Sequence, residues 1–339
     1  MDHRQLFHKG TNEFKNNFRI KYYLNNVNRK IELDESTLTI FNDISIMNET
    51  NKEKKIALLK NYFDYPVLCK QTFNENYCIY NKYFDDLNNY IKEYRKNTGN
   101  EEDIKIIFVF GDNTSPKQVP CFVKAKSLTS NDYSVLLKLN TIRHIGMLPS
   151  IKVHDIPFHS KINKIIWRGA GTGISNLQRF ELVQKFQHTT NPMIDIKFTN
   201  FPQKMPNNYS IDDFKIAPHV DIKTLLQYKF LISIEGNDVS TNLKWILLSN
   251  SVVFQPIPKK CSWFMEDMLI PFTHFIPLKD DFSDLEDKLQ WAMNHLDKCE
   301  EIAKNATDYM NIFLDEENEK YVTTEVIKKY INNVIVNEN

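Results

Sequence analysis

The 339 residues carry 43 lysines and arginines against 43 aspartates and glutamates, and 42% of them are hydrophobic and 12% aromatic. Zero formal charge removes the electrostatic basis for a nucleic-acid partner, and the apolar content excludes a disordered chain. The five cysteines (Cys69, Cys78, Cys121, Cys261, Cys299) are odd in number and lack C-x-x-C spacing, which argues against a disulfide framework or zinc site and for a reducing compartment. The opening MDHRQLFHKGTNEFKNNFRIKYY has no apolar signal core, and no run approaches the roughly 18–20 apolar residues of a membrane span. A soluble, cytoplasmic protein is expected, at most peripherally associated with a membrane.

Residues 1–60 are weakly patterned, with short apolar pieces at 38–41 and 56–59, and predict irregular structure with one or two helices. Residues 80–94 read as a helix, with Tyr83, Leu87, Tyr90 and Ile91 near one face. After a loop at 97–103, residues 104–110 form a strong strand ending in Gly111-Asp112-Asn113, and 122–125 and 135–139 are further strands. From about residue 150 the rhythm is regular. A strand at 164–167 leads into RGAGTG (168–173), and Ser175 with Gln178 forms a capping box for a helix lined by Leu177, Phe180, Val183 and Phe186. A strand at 193–198, a short helix at 221–227 and a strand at 230–234 follow.

Glu235, Gly236, Asn237 and Asp238 then make a turn before a helix opening on Ser240, carried by Leu243, Ile246 and Leu247 and stopped near Asn250. Strands at 252–254 and 275–278 come next, then a second capping box, Ser283 with Glu286, opening a long amphipathic region through Phe313, and a last helix at 323–335. Strands alternating with helices predict an α/β fold built on parallel, doubly wound sheets. Two Rossmann-like domains facing a cleft are expected: residues 1–150, residues 151–315, and a C-terminal helix in 316–339 packing back across both.

The two glycine-containing turns, RGAGTG and EGNDVS (235–240), each follow a strand and precede a helix, where backbone N–H groups and a helix dipole meet phosphate. Arg168, Gly169, Gly173, Arg179 and Lys244 are candidate phosphate contacts; the alternative is that the glycines are ordinary helix-entry residues and the arginines surface charges. RGAGTG is neither a Walker loop nor a Gly-x-Gly-x-x-Gly. Asp112, at a strand end, is either a general base or a turn aspartate bonded to its own backbone. His144, His154 and His159 match no compact metal motif, and no Asp-x-Asp is flanked by apolar residues, so no metal is expected. Trp263, Phe264 and Met265 are a sugar-stacking platform or core, and Glu266 accepts from ribose hydroxyls or is exposed.

KFLISIEGNDVSTNLKWILLSNSVVF together with SWFMEDMLIPFTHFIPLKDDFSDLEDKLQW closely resembles glycosyltransferase family 90, and WRGAGTG with Arg179 and FVFGDNTSPKQVP extend the likeness over residues 104–315. That family includes lipopolysaccharide- and capsule-modifying transferases and protein O-glucosyltransferases, and the chain is nearest in character to the lipopolysaccharide-modifying branch. The resemblance implies a GT-B fold with an acceptor-side first domain and a UDP-sugar-binding second domain, and an inverting, metal-independent transfer to a glycan hydroxyl. It makes Asp112 the base, puts Arg168 and Arg179 on the diphosphate, and makes Gly236, Asn237, Asp238 and Ser240 the nucleotide turn, with Glu235 and Glu266 nearby. Asn242 stands where the protein O-glucosyltransferases carry arginine, so that diphosphate contact is missing, with Lys244 or Arg179 to compensate. A non-catalytic binding module and a configuration-retaining transferase are the alternatives.

Overall fold

The computed structural model describes residues 2–40, 51, 54, 66–69, 82–102, 104–109, 111–129, 132–173 and 177–338. The apolar piece at 56–59, the ends of three expected elements (residues 41, 80–81 and 110), Cys78 and the capping Ser175 lie outside the described residues. Fourteen strands are present among the described residues: β1 (Ile31–Asp34), β2 (Thr39–Ile40), β3 (Val67–Cys69), β4 (Ile106–Phe108), β5 (Cys121–Val123), β6 (Ala125–Ser127), β7 (Ser134–Leu136), β8 (Ile162–Ala170), β9 (Ile194–Asn200), β10 (Tyr228–Ile232), β11 (Val252–Pro256), β12 (Lys260–Ser262), β13 (Ile276–Leu278) and β14 (Val334–Asn337). The chain divides into two compact units: residues 1–142, 261–264 and 315–339 make the first, and residues 143–260 and 265–314 the second.

The first unit is built on a five-stranded sheet in the order β2-β3-β4-β5-β7. Its inner strands are short, wholly buried apolar runs, as expected of strands covered on both faces. The sheet is not all parallel, because β3 runs antiparallel to β4 while the other pairs run parallel. The helix Lys82–Thr98 buries Phe84, Leu87, Ile91 and Tyr94, one face of a 3.6-residue period. Two N-terminal helices, His3–Lys9 and Asn12–Leu24, are capped by Asp2 and Thr11 side chains accepting from Arg4 N and Phe14 N.

The last helix spans Glu316–Asn333, and residues 334–337 leave it to form β14, which pairs in parallel with β1. This corrects the expected 323–335 helix at both ends. Asp315 caps the start by accepting from Asn318 N, and Val334 and Val336 gain partners from β1. The helix packs on Asn12–Leu24 and Lys82–Thr98. Tyr330 locks it to the sheet, its hydroxyl donating to Pro120 O (3.0 Å) and accepting from Ile107 N (3.2 Å).

The second unit is organised around a sheet ordered β13-β11-β10-β8-β9, in which every pair is parallel. In chain order from the β9 edge this reads 2-1-3-4-5, a doubly wound arrangement. The strand order reverses between β8 and β10, and such a reversal parts the loops leaving the carboxyl ends of those two strands. Ligands bind in the crevice so made. An aromatic cluster gathers around Phe198 of the edge strand β9, in which Phe180, Phe198, Phe201, Tyr209 and Phe214 pack at ring separations of 4.9–6.3 Å.

Several bounds in this unit differ from expectation for local reasons. The strand expected at 164–167 runs on to Ala170, so Arg168 and Gly169 are strand residues paired with Lys197 and Phe198 of β9, not turn residues. The helix expected to open on Ser240 begins at Asn242 and spans only Asn242–Leu247, too short for its dipole to carry an argument. The long amphipathic region is two helices, Leu285–Asn294 and Leu296–Asn311, separated at His295. Its predicted capping box does not form: Asp281 accepts from Ser283 N and Asp284 from Lys279 N, local bonds that compete with capping.

Candidate functional site

The two glycine-bearing turns meet at the strand-order reversal. Gly173 N donates to Asn237 Oδ1 (3.0 Å), joining the turn after β8 to the turn after β10. Arg179, in the first turn of the helix Gln178–Phe186, ties them more firmly. Its Nη1 donates to Ala170 O (3.1 Å) and Thr172 Oγ1 (2.6 Å), and its Nη2 to Ile234 O (3.0 Å). The planar fork of guanidinium suits this three-point bridge, which an ammonium could not reproduce. Burial lowers the Arg179 pKa to about 10, with Asp238 acting to raise it and Arg143 to lower it, so the side chain still carries its charge at neutral pH.

Close approach explains one glycine and backbone conformation another. A Cβ on Gly236 would lie 3.0 Å from both Arg179 Nη2 and Thr172 Oγ1. Gly173 has φ 81°, a left-handed conformation that costs glycine little. Gly169 has a different reason to be glycine: a Cβ there would come within 2.5 Å of the Trp167 ring, so its small size serves packing along β8.

A second clasp holds the far side of the turn. Glu235 Oε1 accepts from Lys259 N (2.9 Å) and Lys260 N (3.0 Å), while Lys260 Nζ donates to Gly236 O and Asn237 O (3.1 Å each). Burial raises the Glu235 carboxyl above its usual value, against the opposing pull of these bonds and of Lys260. Glu235, Ser240 and Glu266 also line a small cavity with Ser233, Gln255 and Gln178. Its volume of about 20 Å³ matches a single water site. The buried Ser233 Oγ and Gln255 Nε2 facing it have no protein hydrogen-bond partner among the described residues.

Other sequence candidates are placed elsewhere. Arg168 is drawn back along β9 to Asp195, which lies opposite Ile166, two residues before Arg168; Nη2 meets Asp195 Oδ2 at 2.7 Å and Nη1 reaches Asp195 O at 3.1 Å. Burial alone would raise the Asp195 carboxyl, but Arg168 and Lys197 overcome it and hold it below the usual range. Lys244 is wholly buried and pairs with buried Glu266 at 2.8 Å. Neither is at the surface as a separate phosphate or ribose contact. Asn242 donates to Ile232 O (3.0 Å) and accepts from Ser240 Oγ (2.5 Å), closing the end of β10. Trp263, Phe264 and Met265 are at most 1% exposed and belong to the core, not to a stacking platform.

In the first unit, Asp112 follows Gly111 (φ 97°) beyond β4, with its side chain 28% exposed. Its Oδ1 accepts from Lys124 Nζ at 2.5 Å and from Tyr83 OH at 3.2 Å. Sequence reading missed Thr172, Lys260, Lys124 and Tyr83. Thr172 and Lys260 stand inside or beside motifs it had singled out, but nothing in local spacing pairs Asp112 with a tyrosine 29 positions away. Among the described residues no group of three or more His, Cys, Asp or Glu side chains could hold a metal ion, and no helix is long and apolar enough to cross a membrane.

A parallel doubly wound sheet with two glycine turns drawn together at its strand-order reversal defines an α/β protein. The chain belongs to glycosyl transferase family 90, whose model matches residues 141–336. It is 34% identical over 222 residues to O-glucosyltransferase LpsA of Dichelobacter nodosus, covering 65% of each chain. It is 32% identical over 170 residues to Protein O-glucosyltransferase 2 of Danio rerio, covering 49% of this chain and 32% of that one. A further match, 26% over 213 residues, is to Uncharacterized protein 179R of Invertebrate iridescent virus 6. The chain thus spans less than two thirds of the length of these relatives. The resemblance read from KFLISIEGNDVS and WRGAGTG is therefore a family membership.

Proposed function

We propose that the protein is a glycosyltransferase of GT-B type that moves a sugar, glucose or xylose, from a UDP-sugar to a hydroxyl of a glycan acceptor, with inversion and without a metal. The observation that carries this reading is the meeting of the 170–173 and 235–240 turns around Arg179 at the strand-order reversal of a family 90 chain. The acceptor oxygen attacks the anomeric carbon as the bond from that carbon to the UDP oxygen breaks. UDP leaves with the electron pair, and the acceptor proton passes to Asp112. Charge growing on the departing diphosphate is met by the fixed guanidinium of Arg179 and the ammonium of Lys260 beside the turn, oriented before the reaction begins. Arg168, also expected on the diphosphate, is paired with Asp195.

A panel of nucleotides and nucleotide sugars tests this. UDP, UDP-glucose and UDP-xylose are expected to raise the melting temperature, since a ligand at about 100 times its Kd adds about 2.7 kcal/mol. ADP and GDP are expected to leave it unchanged. Slow hydrolysis of one UDP-sugar in the presence of EDTA, with an inverted sugar product by NMR, completes the expectation. No stabilisation by UDP or any UDP-sugar at millimolar concentration would sink the proposal, and stabilisation without hydrolysis would leave a binding module in its place.

A further inference from the structure

Asp112, Lys124 and Tyr83 meet in a cluster within the first unit. Lys124 Nζ lies 2.5 Å from Asp112 Oδ1 and 3.1 Å from Tyr83 OH, and Tyr83 OH lies 3.2 Å from the same carboxylate oxygen. The ammonium also sits over the Tyr83 ring, 5.4 Å from its centroid, a cation–π geometry. Lys124 leaves the sheet between β5 and β6 and is 2% exposed, whereas the carboxylate it holds keeps 28% exposure. An ammonium in that position costs desolvation that a methionine of similar length would avoid. Its charge therefore has work beyond filling space.

Holding the loop is not that work, because other bonds already do so. Ser127 N donates to Thr114 O (2.9 Å), Lys117 N to Asp132 Oδ1 (2.8 Å), and Lys117 Nζ to Asn113 O (3.3 Å). What Lys124 and Tyr83 add is the orientation of one carboxylate. Two donors converging on Oδ1 from different elements, one on the helix Lys82–Thr98 and one between two strands, fix the plane of the Asp112 carboxyl group. A base must be within hydrogen-bond reach and aligned before it is useful.

We propose that Lys124 and Tyr83 are positioning residues that orient the Asp112 carboxylate for proton removal. This deepens the reading of Asp112 as base and rests on it. The experiment measures kcat and KM for UDP-glucose hydrolysis, with water standing in for the acceptor hydroxyl, together with thermal unfolding. Lys124→Met is expected to lower kcat about a hundredfold, the scale of a misplaced reacting group, with KM within twofold. Tyr83→Phe, which keeps the ring and removes only the hydroxyl, is expected to lower kcat about tenfold on the same scale. Lys124→Arg should recover part of the loss.

The deciding arm is the double mutant. If Lys124 acts only through the base, Lys124→Met added to Asp112→Asn lowers the residual rate no further, as a double-mutant cycle requires of coupled groups. A full additional loss in the D112N background would overturn the proposal, because it would show Lys124 acting on folding or on another group. Loss of turnover in D112N with K124M and Y83F at wild-type kcat would overturn this inference alone. Full turnover by D112N itself would remove both the base and its supports.

Discussion

Replacing Arg179 with alanine is expected to weaken UDP binding at least about tenfold, or about 1.4 kcal/mol, and to destabilise the fold by about 2–3 kcal/mol. The double effect follows from the three acceptors its guanidinium holds: Ala170 O, Thr172 Oγ1 and Ile234 O. Without it, the bond left between the turn after β8 and the turn after β10 among the described residues is that from Gly173 to Asn237. Arg179→Lys separates charge from shape. A lysine restores the positive charge but cannot present a planar fork to three acceptors. If bridging the turns is what matters, R179K stays weak for UDP and low in stability; if charge alone matters, R179K binds UDP like the wild type. Titration calorimetry with UDP and thermal unfolding read both quantities. Unaltered UDP affinity in R179A would count directly against the site.

Asp112→Asn is expected to lower sugar transfer by about 10²–10⁴, the usual contribution of a general base. UDP affinity should stay within about twofold, on the affinity scale where tenfold is 1.4 kcal/mol. The separation of the two effects has a structural basis. Every hydrogen bond joining the 170–173 and 235–240 turns lies within the second unit, and Asp112 belongs to the first. Asparagine keeps the size and one carbonyl oxygen for Tyr83 and Lys124 but cannot accept a proton. Steady-state rates with UDP-glucose, set beside UDP titrations of the same variant, check this. Wild-type turnover would remove Asp112 from the mechanism.

What could be read from the residues, and what could not, divides by sequence distance. The strand, turn and helix of residues 229–251 were legible because Phe230, Leu231 and Ile232, the glycine turn, and Leu243, Ile246 and Leu247 each follow a local rule. The alternation of strands and helices likewise gave the parallel sheet of the second unit. The fate of the charged side chains was not legible. Arg168 meets Asp195 27 positions away, and Lys244 meets Glu266 22 positions away. Neither pairing has a periodic signature, and each takes a residue from the expected ligand contacts into the protein's own framework. Breaking one partner of the buried Lys244–Glu266 pair costs about 3–5 kcal/mol, so that contact is a structural commitment. The helix start slipped from Ser240 to Asn242 for a subtler reason: Asn242 bonds back to Ile232 O and takes the Ser240 hydroxyl, a local polar knot that competes with capping. The antiparallel β3–β4 pair and the β1–β14 pair join segments far apart in the chain, and their short strands carry too few residues to announce a partner.

The most direct test of the account is hydrogen exchange of the wild-type protein with and without saturating UDP. Slowed exchange is expected in peptides covering residues 170–173 and 235–240, the two turns that Arg179 and Asn237 draw together. UDP binding, measured in the same sample, with exchange in both turns unchanged would contradict it.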